Sequence, residues 1–274
     1  MELASAKHAF ITGGASGIGL GVGKALAERG IRVTVADVDA EAIDAALAGG
    51  GEAFRGVVLD VRDRAGWANA KAEAEAAFGP VDLLFNNAGI ASFGYELADM
   101  APEAFDRIVA VDLTGVFNGV SAFAADMRGR RHGHIVNTSS MAGICGPSQA
   151  IGGSYAAAKF GVVGLSETLR VELAPHGVGV SVLCPGMTAT GIAQSSMKLG
   201  GDMRLPAGRE PDDASHAGSS PLEIGTADEV AASVLRGIED NAPYIITHGR
   251  GWWPLAHARH VALEKAFEGM RGEG

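Results

Sequence analysis

The chain has 274 residues, of which 47% are hydrophobic and 20% charged; that suits a sizeable core and excludes global disorder. A net charge of −10 gives the whole surface nothing with which to draw nucleic acid or an anionic membrane. The 40 glycines are dispersed rather than periodic, which excludes a collagen-like chain and points to tight turns and close backbone approaches. Two cysteines, Cys145 and Cys184, are too few for a metal or disulfide framework and read as inert thiols. The first residues lack the apolar core of a secretory signal, and no apolar run approaches the ~20 residues of a membrane span. The expectation is therefore no membrane, no nucleic acid, no metal and a reducing, cytoplasmic setting.

In chain order, His8 to Thr12 reads as a strand, and Gly13-Gly14-Ala15-Ser16-Gly17-Ile18-Gly19 then opens a helix reaching Arg29. A glycine turn between strand and helix is an anion site, because unpaired N–H groups and the helix dipole face one point. Gly13, Ser16, Gly17, Ile18 and Gly19 are its candidate phosphate contacts. The next strand, Arg32 to Ala36, ends in Asp37, placed to bind adenosine ribose hydroxyls and to repel a 2′-phosphate. Asp39 is the neighbouring competitor. With Ser16 rather than Arg or Lys in the loop, NAD(H) is favoured over NADP(H).

The alternation continues with a helix at Glu41 to Ala48, a strand at Ala53 to Leu59 followed by Asp60-Val61, a helix at Arg62 to Phe78, and a strand at Val81 to Phe85 followed by Asn86-Asn87-Ala88-Gly89. Strand and helix alternating predict an α/β fold, a parallel sheet with helices on both faces. Ligands of such sheets lie beyond the carboxyl ends of the strands, where Asp37, Asp60 and Asn86 fall. The basic cluster Arg128 to His132 reads as a solvated helix end. His134 to Thr138 is a strand leading to Ser139-Ser140. Tyr155 and Lys159, four apart at the start of a helix running to Leu173, share one helical face. A cation beside a phenol lowers its pKa and makes the pair a candidate proton-transfer device.

These motifs, in this order, resemble the short-chain dehydrogenase/reductase family: the glycine loop with Thr12, Asp60-Val61, Asn86-Asn87-Ala88-Gly89, Ser139-Ser140, Tyr155 with Lys159, and Pro185-Gly186. The likeness covers about residues 7–190, and strand and helix patterns extend it to about 247. It implies a single Rossmann-like domain, a doubly wound parallel sheet, with a nicotinamide cofactor, a homo-oligomer (tetramer or dimer), and a small-molecule alcohol or ketone substrate. It also implies Ser140, in preference to Ser139, as the group that bonds the substrate oxygen, Tyr155 as acid/base, and Lys159 as the residue that tunes Tyr155 and binds the nicotinamide ribose. Val61, Asn87, Ala88, Gly89, Pro185, Gly186, Thr188 and Thr190 are implied cofactor contacts, with Thr190 in the usual threonine position.

Two departures stand out. The loop from Ile144 to Ser154 carries about two extra residues, and Ser148 and Gln149 could border the substrate. Asp112 occupies a position where the family often has an asparagine that holds a relay water. Two readings stand, a retained relay paired to Lys159, which is favoured, or a structural helix residue.

The segment at about 191–221 is polar with little apolar period and reads as a substrate lid, with Met197, Leu199, Met203 and Leu205 as an apolar wall. Thr226 and Glu229 form a capping box for a following helix. Tyr244 to Thr247 closes the sheet. Trp252 and Trp253 read as a subunit contact, a pocket wall or core. With no repeat or linker, one dinucleotide-binding and catalytic domain over 1–274 is expected. The expected activity is NAD(H)-dependent interconversion of a secondary alcohol and a ketone, with oxidation favoured. The alternatives are NADPH-dependent carbonyl reduction and a non-catalytic nucleotide-binding regulator.

Overall fold

A computed structural model describes residues 3–91, 96–145, 152–190, 192, 196, 224–247 and 250–270. Seven strands form one sheet: β1 (His8–Thr12), β2 (Arg32–Asp37), β3 (Phe54–Val58), β4 (Leu83–Asn86), β5 (His134–Thr138), β6 (Gly179–Cys184) and β7 (Tyr244–Ile246). Their order is β3-β2-β1-β4-β5-β6-β7, and every pairing is parallel. The chain winds outward from β1 to β3, then crosses back to β4 and winds the other way. The crevice between β1 and β4 is thus the topological switch point, where α/β sheets take their ligands.

Alternating side chains divide the core into two layers, as period-two strands require. Ala9 and Ile11 of β1, Val33 and Val35 of β2, and Leu83 and Phe85 of β4 face one layer. Its helices are α1 (Gly17–Ala27), α2 (Ala40–Gly50) and α8 (Ala227–Glu239), through Val22, Leu26, Ile43, Val230 and Val234. Phe10, Ala36, Leu84 and Ile135 face the other layer, covered by α3 (Arg64–Phe78), α5 (Gly115–Arg130) and α7 (Gly153–Leu173). There Phe10, Trp67 and Phe123 pack ring against ring, with centroids 5.1 to 6.3 Å apart.

Local signals account for the helix starts. Asp39 caps α2 by accepting from Ala42 N, Asp63 caps α3 through Ala65 N, and Thr226 and Glu229 complete the expected capping box of α8. The helix Arg62 to Phe78 therefore starts two residues later than the composition suggests, because Asp63 takes the cap.

A longer helical run joins α4 (Pro102–Val109) to α5 through a π-helical turn at Ala110–Thr114. This run, 102–130, is long and apolar enough to cross a membrane by length and composition alone, which corrects the expectation that no such stretch exists; half of its apolar window is buried. Ile108, Val116, Phe123 and Met127 spend that apolarity on the core. The basic cluster at its end is not simply solvated. Arg130 donates to Asp82 Oδ1 at 3.0 Å and to Val81 O at 2.5 Å, while Arg131 turns left-handed, φ 54°. Asp82 also accepts from Lys7 N at 2.8 Å. That contact satisfies a buried carboxylate at the lower end of the sheet.

The same end buries two histidines. Ser181 gives its proton to Ala242 O at 2.5 Å, so His134 Nε2 is the donor in its 2.9 Å bond to Ser181 Oγ. His134 Nδ1 then carries a lone pair, and among the described residues it has no partner. Burial pushes His134 down from 6.5 to about 3, and burial likewise lowers His8. The unfolded chain binds the proton first, so stability from neutral His134 is complete above pH 6.5 and falls toward pH 3. Between pH 7 and pH 5 this residue alone removes about 2 kcal/mol. Denaturant unfolding at the two pH values should show a larger loss for the wild type than for His134→Gln, and equal losses would contradict the assignment.

Candidate active site

The loop after β1 turns on two glycines with left-handed backbone, Gly13 at φ 60° and Gly17 at φ 49°. A Cβ on Gly19 would lie 2.3 Å from Gly13 O and 2.8 Å from Asn87 Nδ2, so only glycine lets α1 start this close to the turn. Ser16 is the N-cap of α1, yet its side chain makes no capping bond. Its exposed hydroxyl and the first N–H groups of the helix face outward together. This bare cradle fits the pyrophosphate of a dinucleotide. Ile18 is half-buried and packs its side chain on the α1-side core.

Asp37, at the end of β2, accepts from Ala15 N at 3.3 Å and from Asp39 N at 3.2 Å. The competitor Asp39 is occupied as the cap of α2. Asp37 is thus the carboxylate beside the cradle, fitted to ribose hydroxyls. Asp60 is engaged by the Arg62 guanidinium at 2.6 to 3.1 Å, whose hydrogen bonds hold its carboxyl below the ordinary range. The Val61 carbonyl accepts from Trp67 Nε1 and Asn118 Nδ2, both at 2.9 Å. Asn86 turns inward and donates to Asn137 Oδ1 at 2.8 Å. Asn137 in turn donates to Ser166 of α7 at 3.0 Å. This buried polar chain ties β4 and β5 to α7, and it removes Asn86 from the ligand side of its strand end.

Asn87, Ala88 and Gly89 stand against the glycine loop. Thr12 holds them there. Its hydroxyl accepts from Asn87 N at 2.9 Å and Ala88 N at 3.1 Å and donates to Phe85 O at 3.2 Å, while Asn87 Nδ2 reaches back to Thr12 O at 3.1 Å. The glycine motif includes Thr12 but does not by itself assign it this task. Its position as the last residue of a buried strand, facing the turn, was the available signal. On the far side, Pro185 O accepts from Met141 N at 3.0 Å. Thr188 donates to Gly186 O at 3.3 Å. A Cβ on Gly17 would come within 3.2 Å of Thr190, so Thr190 borders the cradle, whereas the Thr188 hydroxyl is spent within its own turn.

The catalytic candidates meet where β5 ends and α7 begins. Ser139 is buried, and its hydroxyl donates to Lys159 O at 2.8 Å. Ser140 is partly exposed, accepts from Ala142 N at 3.2 Å and hydrogen-bonds the Tyr155 phenol. The choice of Ser140 over Ser139 follows from these partners. Gly143, in the one-turn helix α6 (Ala142–Cys145), makes the junction possible, because a Cβ there would sit 2.3 Å from Ser139 Oγ and 2.7 Å from Lys159 O. Lys159 Nζ lies 5.4 Å from the Tyr155 ring centroid and donates to Thr138 O at 3.1 Å.

Asp112, fully buried in the π-helical turn, completes the group. Its Oδ1 accepts from Ile90 N at 2.8 Å, and its Oδ2 is 3.1 Å from Lys159 Nζ, off the axis of a good hydrogen bond. Burial opposes the Lys159 ammonium, but Asp112 and Tyr155 outweigh it and hold the lysine above its ordinary value. Burial raises Asp112 against the pull of Lys159. For Tyr155 the expected direction is reversed. Burial raises the phenol and Asp112 adds to that, which overcomes the lowering by Lys159 and Ser140.

The two cysteines are free and buried, with Cys184 pushed up to about 12 by burial, as inert thiols should be. Trp252 is half-buried and packs with Cys145 and Ala256. Trp253 is exposed and stacks on His257 at 5.4 Å. The inserted loop with Ser148 and Gln149 and the lid residues Met197, Leu199, Met203 and Leu205 lie outside the described residues.

The family model for short chain dehydrogenases matches residues 7–199. The chain belongs to this family. It is 39% identical over 268 residues to a C alpha-dehydrogenase of Sphingobium sp., covering 96% of this chain and 84% of that protein. It is 32% identical to the levodione reductase of Leifsonia aquatica, covering 86% of this chain and 88% of the other. Among solved structures, a short chain dehydrogenase/reductase from Burkholderia phymatum in complex with NAD superposes with a TM-score of 0.81 at 33% identity, over 97% of both chains. The chain is accordingly an oxidoreductase of the dehydrogenase/reductase type, acting on small molecules.

Thr12 gives the test of how the cradle is assembled. Thr12→Val keeps the shape and leaves two N–H groups without their acceptor, which should lower unfolding stability by about 1–3 kcal/mol and weaken dinucleotide binding. Unchanged denaturant midpoint and affinity would show that the hydroxyl holds nothing.

Proposed function

We propose that this family member interconverts a secondary alcohol and a ketone using NAD(H), with Tyr155 as the acid/base group. The observation that carries this reading is the convergence of Ser140, Tyr155 and Lys159 at the end of β5, beside the cradle at the switch point. Ser140 positions and polarises the substrate oxygen by a hydrogen bond. Tyr155 takes the hydroxyl proton in oxidation and returns it in reduction. Lys159 stabilises the phenolate and reaches for the nicotinamide ribose. When bound, the nicotinamide supplies the hydride acceptor for oxidation and the donor for reduction.

Asp37 supports NAD over NADP. Its carboxylate would meet a 2′-phosphate as a like charge, and its oxygens already take the N–H groups of Ala15 and Asp39. The cradle carries the Ser16 hydroxyl where an NADP site would offer a cation. Oxidation is favoured as the working direction because NAD is the favoured cofactor. A homo-oligomer and a cytoplasmic setting complete the proposal. The substrate class remains a moderately hydrophobic secondary alcohol or ketone.

Turnover over a panel of secondary alcohols and ketones, measured with NAD(H) and NADP(H) side by side, tests the reading. Tyr155→Phe should lower turnover by about 10²-fold or more while NADH still binds. Equal turnover in the variant would remove Tyr155 from the chemistry, and no turnover by the wild type on any member of the panel would favour a non-catalytic binder. Asp37→Ser should shift the NAD-to-NADP preference toward NADP by about tenfold or more, equivalent to about 1.4 kcal/mol. A wild type that prefers NADP would overturn the cofactor assignment.

A further inference from the structure

We infer that Asp112 is a positioning residue whose carboxylate, paired with Lys159 beneath the Tyr155 ring, screens the lysine's charge from the phenol and so moves the proton-transfer step to higher pH. The inference rests on the Tyr155 reading above and concerns how that group is tuned. Asp112 has no exposure to solvent, and both of its oxygens point inward. Oδ1 is taken by Ile90 N at 2.8 Å, and Oδ2 stands 3.1 Å from Lys159 Nζ. The pair is roofed by backbone, since a Cβ on Gly89 would touch Asp112 Oδ2 and Lys159 Nζ at 3.3 Å each. The π-helical turn at Ala110–Thr114 inserts this carboxylate behind the lysine; such turns interrupt helices where a side chain is re-aimed for function.

The electrostatics follow from that arrangement. An isolated ammonium near a phenol favours the phenolate. With an opposite charge 3.1 Å away, Tyr155 feels a short dipole in place of a bare charge, and the attraction falls accordingly. An ionised carboxylate accepts hydrogen bonds and donates none, so it cannot replace the lost stabilisation by donating to the phenolate or to a water beside it. Among the described residues, the other groups facing Tyr155 do not make up the difference: the Ser140 hydrogen bond lowers the phenol, but burial and Asp112 outweigh it. Cys184, from β6, stays neutral with its thiol held up to about 12 by burial, and Ser140, from the turn after β5, carries no charge. Among the described residues, the cation that acts on the phenol is Lys159, on the same helix.

The test is a phenolate absorbance titration of the cofactor-free protein. The chain has three tyrosines; Tyr244 is pushed up to about 12 by burial, and subtracting the Tyr155→Phe curve isolates Tyr155. Asp112→Asn removes the charge and keeps the shape. Its Tyr155 midpoint should fall by one pH unit or more, giving about tenfold more phenolate at any pH below both midpoints, and the pH profile of alcohol oxidation should move the same way. A midpoint that stays or rises, in a variant that still unfolds in one cooperative transition, overturns the inference. If Asn at this position prevents folding, Asp112→Ser provides the same neutral test with a smaller side chain. A shifted titration without turnover by either protein upholds the inference and sinks the enzymatic reading. Turnover with an unshifted titration and profile does the reverse.

Discussion

The site depends on keeping one ammonium out of water. Lys159 is almost fully buried, and a buried charge stands only when it is paired and hydrogen-bonded. Thr138 O and Asp112 supply that compensation from two different elements, the end of β5 and the π-helical turn. The Lys159 carbonyl is held in turn by Ser139. The lysine therefore fixes where α7 starts relative to the sheet, and with it where Tyr155 stands. Removing either charged partner would leave the other buried and unpaired, at a cost of about 3–5 kcal/mol.

Around this junction, each strand end has a divided task. Side chains that point into the layers, such as Asn86 and Asn137, form the polar chain that reaches Ser166 and locks α7. Side chains and N–H groups one residue further on face the crevice. Thr12 joins the two halves of the sheet at the switch point by holding Asn87 and Ala88 against the glycine turn. The glycine cradle and the Ser140, Tyr155 and Lys159 group are thus positioned by the same parallel sheet, one at the ends of β1 and β2 and the other at the ends of β5 and β6. Rigid elements supply most of the site, which favours the precision that the proposed hydride transfer needs.

Much of this was legible because it is local. The strands read as short apolar runs, and the six expected at residues 8–12, 32–36, 53–59, 81–85, 134–138 and 244–247 all lie within two residues of their expected ends. The glycine turn, the Thr226–Glu229 box and the one-turn spacing of Tyr155 and Lys159 are likewise written in a few adjacent residues. What escaped is tertiary. Arg130 reads as solvated until Asp82, 48 positions away, is brought beneath it. Asp60 sits at a strand end as expected, but Arg62 folds back over its carboxylate. The Tyr155 phenol is raised where the one-turn spacing to Lys159 predicts a lowering. Helical spacing reveals the lysine beside it and the position of Asp112 suggests the pairing, whereas burial, the largest cause, has no signature in the neighbouring residues.

The central claim is that Lys159 is a permanent, buried ammonium paired to Asp112. Its most direct test is nitrogen NMR of lysine-labelled protein, with the Lys159 Nζ signal assigned by its loss in Lys159→Met. The account predicts a slowly exchanging ammonium signal that persists to higher pH than an ordinary lysine, consistent with its raised pKa. A neutral amine signal at pH 7 would contradict it.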